Sequence, residues 1–190
     1  RETITMKRFL TFISIVIIIV APAALFAQQH EQPMLGQQAP LFELKAIDGK
    51  TYSLDQLKGR YVVIHFAATW CPFCNAEAPY LEELYQNYRS KNVLVFIVDV
   101  KEDKNLVEKS LERFRFSFPV LLDTNGTVSA KYAPEGVQPA LARDEVPIAS
   151  NLVIDKEGKI RFYSLLNTMS FDAKLTELKQ KLDVLLKNNN

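Results

Sequence analysis

Glycine, cysteine and histidine are all scarce in this chain of 190 residues, and each scarcity narrows what it can do. The six glycines include none at a phosphate-loop spacing, so no loop is built to wrap a nucleotide phosphate. Two cysteines and two histidines are the whole stock of the softer metal ligands, and His30 lies in a polar stretch ahead of the folded domain. A structural zinc needs four ligands, so no metal is expected, and no other cofactor is. The cysteines also sit too close together to be a structural staple. They are Cys71 and Cys74, and a bridge between them closes a loop too short to restrict the unfolded chain. Charge of one sign is lacking as well: 23 Lys+Arg against 22 Asp+Glu gives a formal +1, no electrostatic footprint for nucleic acid.

One long apolar run exists, and it is N-terminal. Met6-Lys7-Arg8 forms a basic start, Phe9 to Val20 is apolar, and Ala21-Pro22-Ala23-Ala24-Leu25-Phe26-Ala27 offers small residues for cleavage. That order predicts a secretory signal peptide over residues 1–27, with Met6 as the start. Left uncleaved, Phe9 to Ala27 would be the chain's one membrane contact, an N-terminal anchor. No cysteine follows the run to carry a lipid. Export would place the protein in the periplasm or cell envelope. Residues 28–35 read as a disordered lead-in and 36–190 as a single domain.

Within that domain, Phe42 to Ile47 and Thr51-Tyr52 flank Asp48-Gly49, a hairpin signal, and Asp55 to Gly59 reads as a short helical turn. Tyr61 to Phe66 is a continuous β-branched and aromatic run, suited to a strand covered on both faces. Ala76, Tyr80, Leu81, Leu84, Tyr85 and Tyr88 then recur at helical steps, with Pro79 inside predicting a kink. Val93 to Val98 is a second buried strand, and Leu106, Val107, Leu111 and Phe114 mark a second helix. Phe118 to Leu122 is a third strand, Asn151 to Ile154 and Lys159 to Tyr163 form a hairpin, and Leu175, Leu178, Leu182 and Leu185 line a closing helix. The charged runs Lys101–Lys104 and Lys174–Lys181 read as solvated faces. Strands alternating with helices, then a hairpin and a helix, predict an α/β domain with a central mixed sheet flanked by helices.

The chemistry is expected where the first buried strand meets its helix. A cysteine at a helix N-terminus faces unpaired N–H groups and the positive end of the helix dipole, which favour its thiolate. Pro72 is tolerated at the first helical position because its missing N–H has no intrahelical partner. Cys74, one turn in, is expected to be the more buried and to attack a mixed disulfide formed at Cys71. One site can thus cycle between dithiol and disulfide.

Phe66-Ala67-Ala68-Thr69-Trp70-Cys71-Pro72-Phe73-Cys74 resembles the active-site segment of the thioredoxin superfamily. Ala39-Pro40, Leu57-Lys58-Gly59-Arg60, Glu77-Ala78-Pro79 and Phe118-Pro119-Val120 narrow the resemblance to the exported TlpA/ResA-like branch. It covers nearly all of residues 36–190 and implies a thioredoxin-like fold with an N-terminal β-hairpin extension and an inserted helix. It further implies a reductase of protein disulfides that serves cytochrome c maturation and draws electrons from a membrane thiol donor. Trp70 would shield the pair and help dock substrate. Glu77 would handle protons for Cys74 or raise the thiol pKa values. His65 falls where thioredoxins keep a buried acid, and is either a proton acceptor titrating near neutrality or a neutral core histidine. Pro147 is the candidate for the family's cis-proline, with Ala149 the alternative register, and residues 132–144 form an extended loop near it. Phe73 gives Cys71 neither charge nor donor, which tilts the pair towards reduction. The rival functions are a peroxiredoxin-like peroxidase, an oxidant or isomerase of envelope disulfides, and a copper-carrying module.

Overall fold

Seven strands form one mixed sheet in the computed structural model, which describes residues 34–133 and 148–188. All of these belong to one compact unit, residues 31–190. The signal segment, residues 28–33 of the lead-in, most of the extended loop and Pro147 lie outside the described residues, while the end of the lead-in is ordered against expectation: Met34 is buried in the core with Phe42.

The predicted hairpin is β1 (Glu43–Ala46) and β2 (Thr51–Ser53), paired antiparallel. Its turn favours Gly49, whose φ of +85° strains a residue with a Cβ, and Asp48 accepts the Lys50 N–H across it. A single 3₁₀ turn, Leu54–Leu57, leads into β3 (Tyr61–Ala67), every residue of which is buried. Helix α1 (Pro72–Tyr88) runs unbroken through Pro79. Then come β4 (Val93–Val100), α2 (Lys104–Leu111), β5 (Val120–Asp123), α3 (Thr127–Lys131), β6 (Ser150–Ile154), β7 (Ile160–Ser164) and α4 (Thr176–Lys187). The sheet order is β2-β1-β5-β4-β3-β6-β7, with β3, β4 and β5 parallel and the outer strands antiparallel.

The alternation of side chains along the central strands sets two cores back to back. Tyr61, Val63 and Ala67 of β3 and Val93, Val95 and Ile97 of β4 pack with Leu81 and Leu84 of α1 and Leu178 and Leu182 of α4. Val62, Ile64 and Phe66 join Phe96 and Val98 in the opposite core with Phe42, Val128 and Tyr132. By the same alternation His65, Asp99 and Asn151 point to the α1 side, with Asn151 directly opposite His65 and Asp99 two residues further along, opposite Ala67.

Two elements differ from expectation. Helix α2 ends at Leu111, so Phe114 lies beyond it in an aromatic run: its ring stacks on Phe116, which packs on Phe118. The Lys101–Lys104 run is not uniformly solvated. Asp103 caps α2 by accepting the Leu106 N–H, and Glu102 is buried because it holds the loop that precedes the cysteines.

Candidate active site

The loop from β3 to α1 is fixed before the cysteines begin. Glu102 accepts the Thr69 N–H at 2.5 Å and the Thr69 hydroxyl at 2.7 Å, while Asn75 Nδ2 donates to the Thr69 carbonyl at 3.2 Å. Cys71 is the N-cap of α1, in extended conformation, and its Sγ accepts the Cys74 N–H at 3.2 Å. Pro72 occupies the first turn, as the sequence predicts. A disulfide joins Cys71 to Cys74, with Cα atoms 5.3 Å apart. The sulfur that caps the helix meets an N–H and the positive end of the dipole, the arrangement that lowers a thiol's pKa in the dithiol form.

Burial does not separate the two cysteines as expected: Cys71 is 2% exposed and Cys74 is 5%. Capping turns the Cys71 sulfur inward, against the core that also holds Ala68 and Ala149. Trp70, by contrast, stands 69% exposed beside the pair, a surface feature rather than a core aromatic. Phe73 packs edge-to-face on Phe171, ring centroids 5.0 Å apart.

A polar chain runs beneath the cysteines. Asn151 lies directly across from His65 in the β3–β6 pairing. The Asn151 amide donates to Glu77 Oε1 at 2.9 Å, so its oxygen faces His65 Nδ1, also at 2.9 Å. Nδ1 must therefore carry the proton, and Nε2 is left as a bare acceptor with no partner. Burial lowers the His65 pKa to about 4 against the raising effect of Asn151. Of the two readings of His65, the geometry and this lowering favour the neutral, hydrogen-bonded core histidine over a group that titrates near neutrality. Its 3.6 Å approach to Glu77 Oε2 is not an ion pair at neutral pH. Glu77 is buried, not an ordinary exposed helix acid, because it falls on the inward stripe of α1 with Cys74, Ala78 and Leu81. Burial pushes its pKa up to about 7; the Asn151 hydrogen bond lowers it, and Asp172 adds a smaller upward push.

Residues 35–163 match the AhpC/TSA family. The chain belongs to that family. Among its curated relatives is the thiol-disulfide oxidoreductase ResA of Bacillus cereus (strain ATCC 10987 / NRS 248), 31% identical over 160 residues, covering 81% of this chain and 86% of that one. ResA of Bacillus subtilis (strain 168) is 34% identical over 125 residues, 66% of this chain and 64% of that one. A solution structure from Bacteroides thetaiotaomicron superposes with a TM-score of 0.68 at 26% identity, covering 80% of this chain and 90% of that chain. The thioredoxin domain of a Bacteroides vulgatus thiol-disulfide oxidoreductase does so at 0.60 and 23%, covering 77% and 96%. The fold of this AhpC/TSA protein is thioredoxin-like, and the protein is a thiol–disulfide oxidoreductase.

The structure brings Cys71, Cys74, Pro72, Glu77 and His65 of this AhpC/TSA protein into one neighbourhood at the β3–α1 junction, with Trp70 on its surface. Glu77 and Asn151 open onto a cleft of about 220 Å³ between β6, β7 and α4, walled by Phe162, Phe171 and Asp172. Ala149, the alternative register to Pro147, is buried with a left-handed φ of 57°, its N–H donated to the Phe66 carbonyl at 2.8 Å. Sequence reasoning missed Asn151, Asp99 and Glu102. The signal was present: Val-Phe-Ile-Val-Asp-Val places one polar residue, Asp99, inside an apolar strand, and Ser-Asn-Leu-Val-Ile opens with two, of which Asn151 shares the parity of His65. No group of three or more potential ligands that could hold a metal occurs among the described residues.

Proposed function

We propose that this AhpC/TSA protein is a reductase of protein disulfides working outside the cytoplasm, with Cys71 as the attacking thiolate and Cys74 as the resolving thiol. The observation that carries the reading is the Cys71 sulfur at the N-cap of α1, bonded to the Cys74 N–H and within disulfide reach of Cys74. In the dithiol form the Cys71 thiolate attacks one sulfur of a substrate disulfide and expels the other as a thiolate. Cys74 then loses its proton and attacks Cys71 Sγ. The substrate leaves with two thiols, and the enzyme holds the disulfide.

Phe73 supports the reducing direction, since it gives the Cys71 thiolate no charge or donor and its ring is engaged with Phe171. Glu77 and His65 support the pair from below, and the exposed Trp70 with Pro147 would frame the substrate chain. Residues 1–27 would direct export, followed by the lead-in 28–35 and the domain 36–190. A membrane thiol carrier would restore the dithiol, in a setting such as cytochrome c maturation. A peroxidase reading has less support. Ala68 stands three residues before Cys71, where such enzymes keep a threonine, and the Thr69 hydroxyl is spent on Glu102.

Equilibration with glutathione or dithiothreitol buffers measures the potential. The reading expects a value near thioredoxin's, about −270 mV, and a value near the about −120 mV of DsbA would overturn it.

A further inference from the structure

The opposite side of the cysteine pair from Glu77 holds a second acid that the exchange scheme leaves unused. A cavity of about 40 Å³ lies between β3, β4, α1 and α2, and Cys74, His65 and Asp99 share its wall. That is room for one or two waters. Asp99 is only 3% exposed, and its Oδ1 has no hydrogen-bond partner. His65 Nε2, the bare acceptor, is likewise unpartnered. A buried carboxylate oxygen and an imidazole lone pair without partners are costly features, and both belong to residues that line this mostly apolar cavity beside a thiol.

The surroundings of Asp99 fix its character. Its strand places it in register with Ala67, on the same face as Ile97. Glu102 stands against it and is itself anchored by Thr69. The cavity it lines is also walled by His65 from β3, Cys74 and Asn75 from α1, and Ser110 and Leu111 from α2, and no lysine or arginine is among its described lining residues. Lys101 carries its side chain over Gly126 instead. Burial, then the Glu102 charge and hydrogen bond, push the Asp99 pKa up to about 8. That proton affinity is close to an ordinary thiol's, about 8.5, so a proton passes between them with little cost.

We propose that Asp99 is the proton acceptor for Cys74 in the resolving step, acting through the cavity whose wall it shares with Cys74 and His65. The step balances without a further reagent. The Asp99 carboxylate takes the Cys74 proton, directly or through a cavity water. The Cys74 sulfur forms its bond to Cys71 Sγ, and the bond from Cys71 to the substrate sulfur breaks with its electron pair on the substrate. Asp99 then returns its proton to solvent or to the departing thiolate. Glu77, on the far side, is left to face the cleft and the incoming chain.

This inference rests on the exchange chemistry of Cys71 and Cys74, and one experiment separates the two. The reduced protein is mixed in stopped flow with one equivalent of DTNB, which releases thionitrobenzoate once when Cys71 attacks and again when Cys74 resolves. In Asp99→Asn the first phase is expected to be unchanged, and the second to slow at least tenfold at about pH 8, where about half of Asp99 is carboxylate. The gap should close at higher pH as the thiolate forms without help; a merely displaced Cys74 would be slow at every pH. A second phase within twofold of the parent across the whole range overturns the role of Asp99. Failure to release thionitrobenzoate in two equal steps overturns the exchange scheme instead. Should Asp99→Asn not fold, Glu102→Gln takes its place: removing the neighbouring charge lowers the proton affinity of Asp99, so the rise of the second phase moves to lower pH. An unmoved rise overturns the proposal.

Discussion

Replacing Glu77 by Gln should make the oxidised protein more stable at neutral pH and leave it unchanged in acid. The pKa of Glu77 rises from its ordinary 4.5 to about 7 because the side chain is buried under α1 with one hydrogen bond, from Asn151. The folded state therefore binds a proton that the unfolded chain has released. Between those two values stability falls as pH rises, at about 1.4 kcal/mol per pH unit, for a total of about 3 kcal/mol. His65 works the other way: with its pKa lowered to about 4 from 6.5, stability is lost as pH falls through that window. The two slopes oppose each other in the parent protein, and Glu77→Gln leaves only that of His65. Urea unfolding at about pH 4 and about pH 8 measures this, with the disulfide kept intact. The variant should match the parent in acid and exceed it by up to about 3 kcal/mol at the higher pH. If Glu77 and His65 were a charged pair, the variant would instead be the less stable at neutral pH, and the account of the polar chain would be wrong.

Asn151→Leu should cost about 2–4 kcal/mol in the same assay, since it strips partners from both His65 Nδ1 and Glu77 Oε1 in the core. Trp70→Ala should change stability by no more than about 0.5 kcal/mol because the ring lies in solvent, yet raise the KM for a protein disulfide while the rate with DTNB holds.

Much of this architecture could be read from periodicity. The continuous apolar runs of β3 and β4 can only be strands covered on both faces, and the Leu81–Leu84–Tyr88 stripe can only be the inner face of α1. Cys71 and Cys74 were legible because strand, proline and helix surround them in sequence. Of the polar groups beneath them, His65 and Glu77 were named but Asn151 and Asp99 were not, because only the sheet order brings β6 and β4 to either side of β3. Asn151 follows Cys74 by 77 residues, and nothing local announces that it will pair with His65. Glu102 was hidden by its charged neighbours: the other three residues of the run do face outward, and its grip on Thr69 and its contact with Asp99 draw it in. The burial order of the two cysteines failed for a local reason, since N-capping with sulfur turns Cys71 inward.

The central claim is the division of labour between the two thiols, and single-cysteine variants test it most directly. Cys74→Ser and Cys71→Ser, reduced and mixed with a disulfide-bonded peptide, are quenched with acid and mapped by mass spectrometry. The account predicts a stable mixed disulfide on Cys71 in Cys74→Ser and little or no adduct on Cys74 in Cys71→Ser. Equal adduct yields in the two variants, or an adduct that forms faster on Cys74, would contradict it.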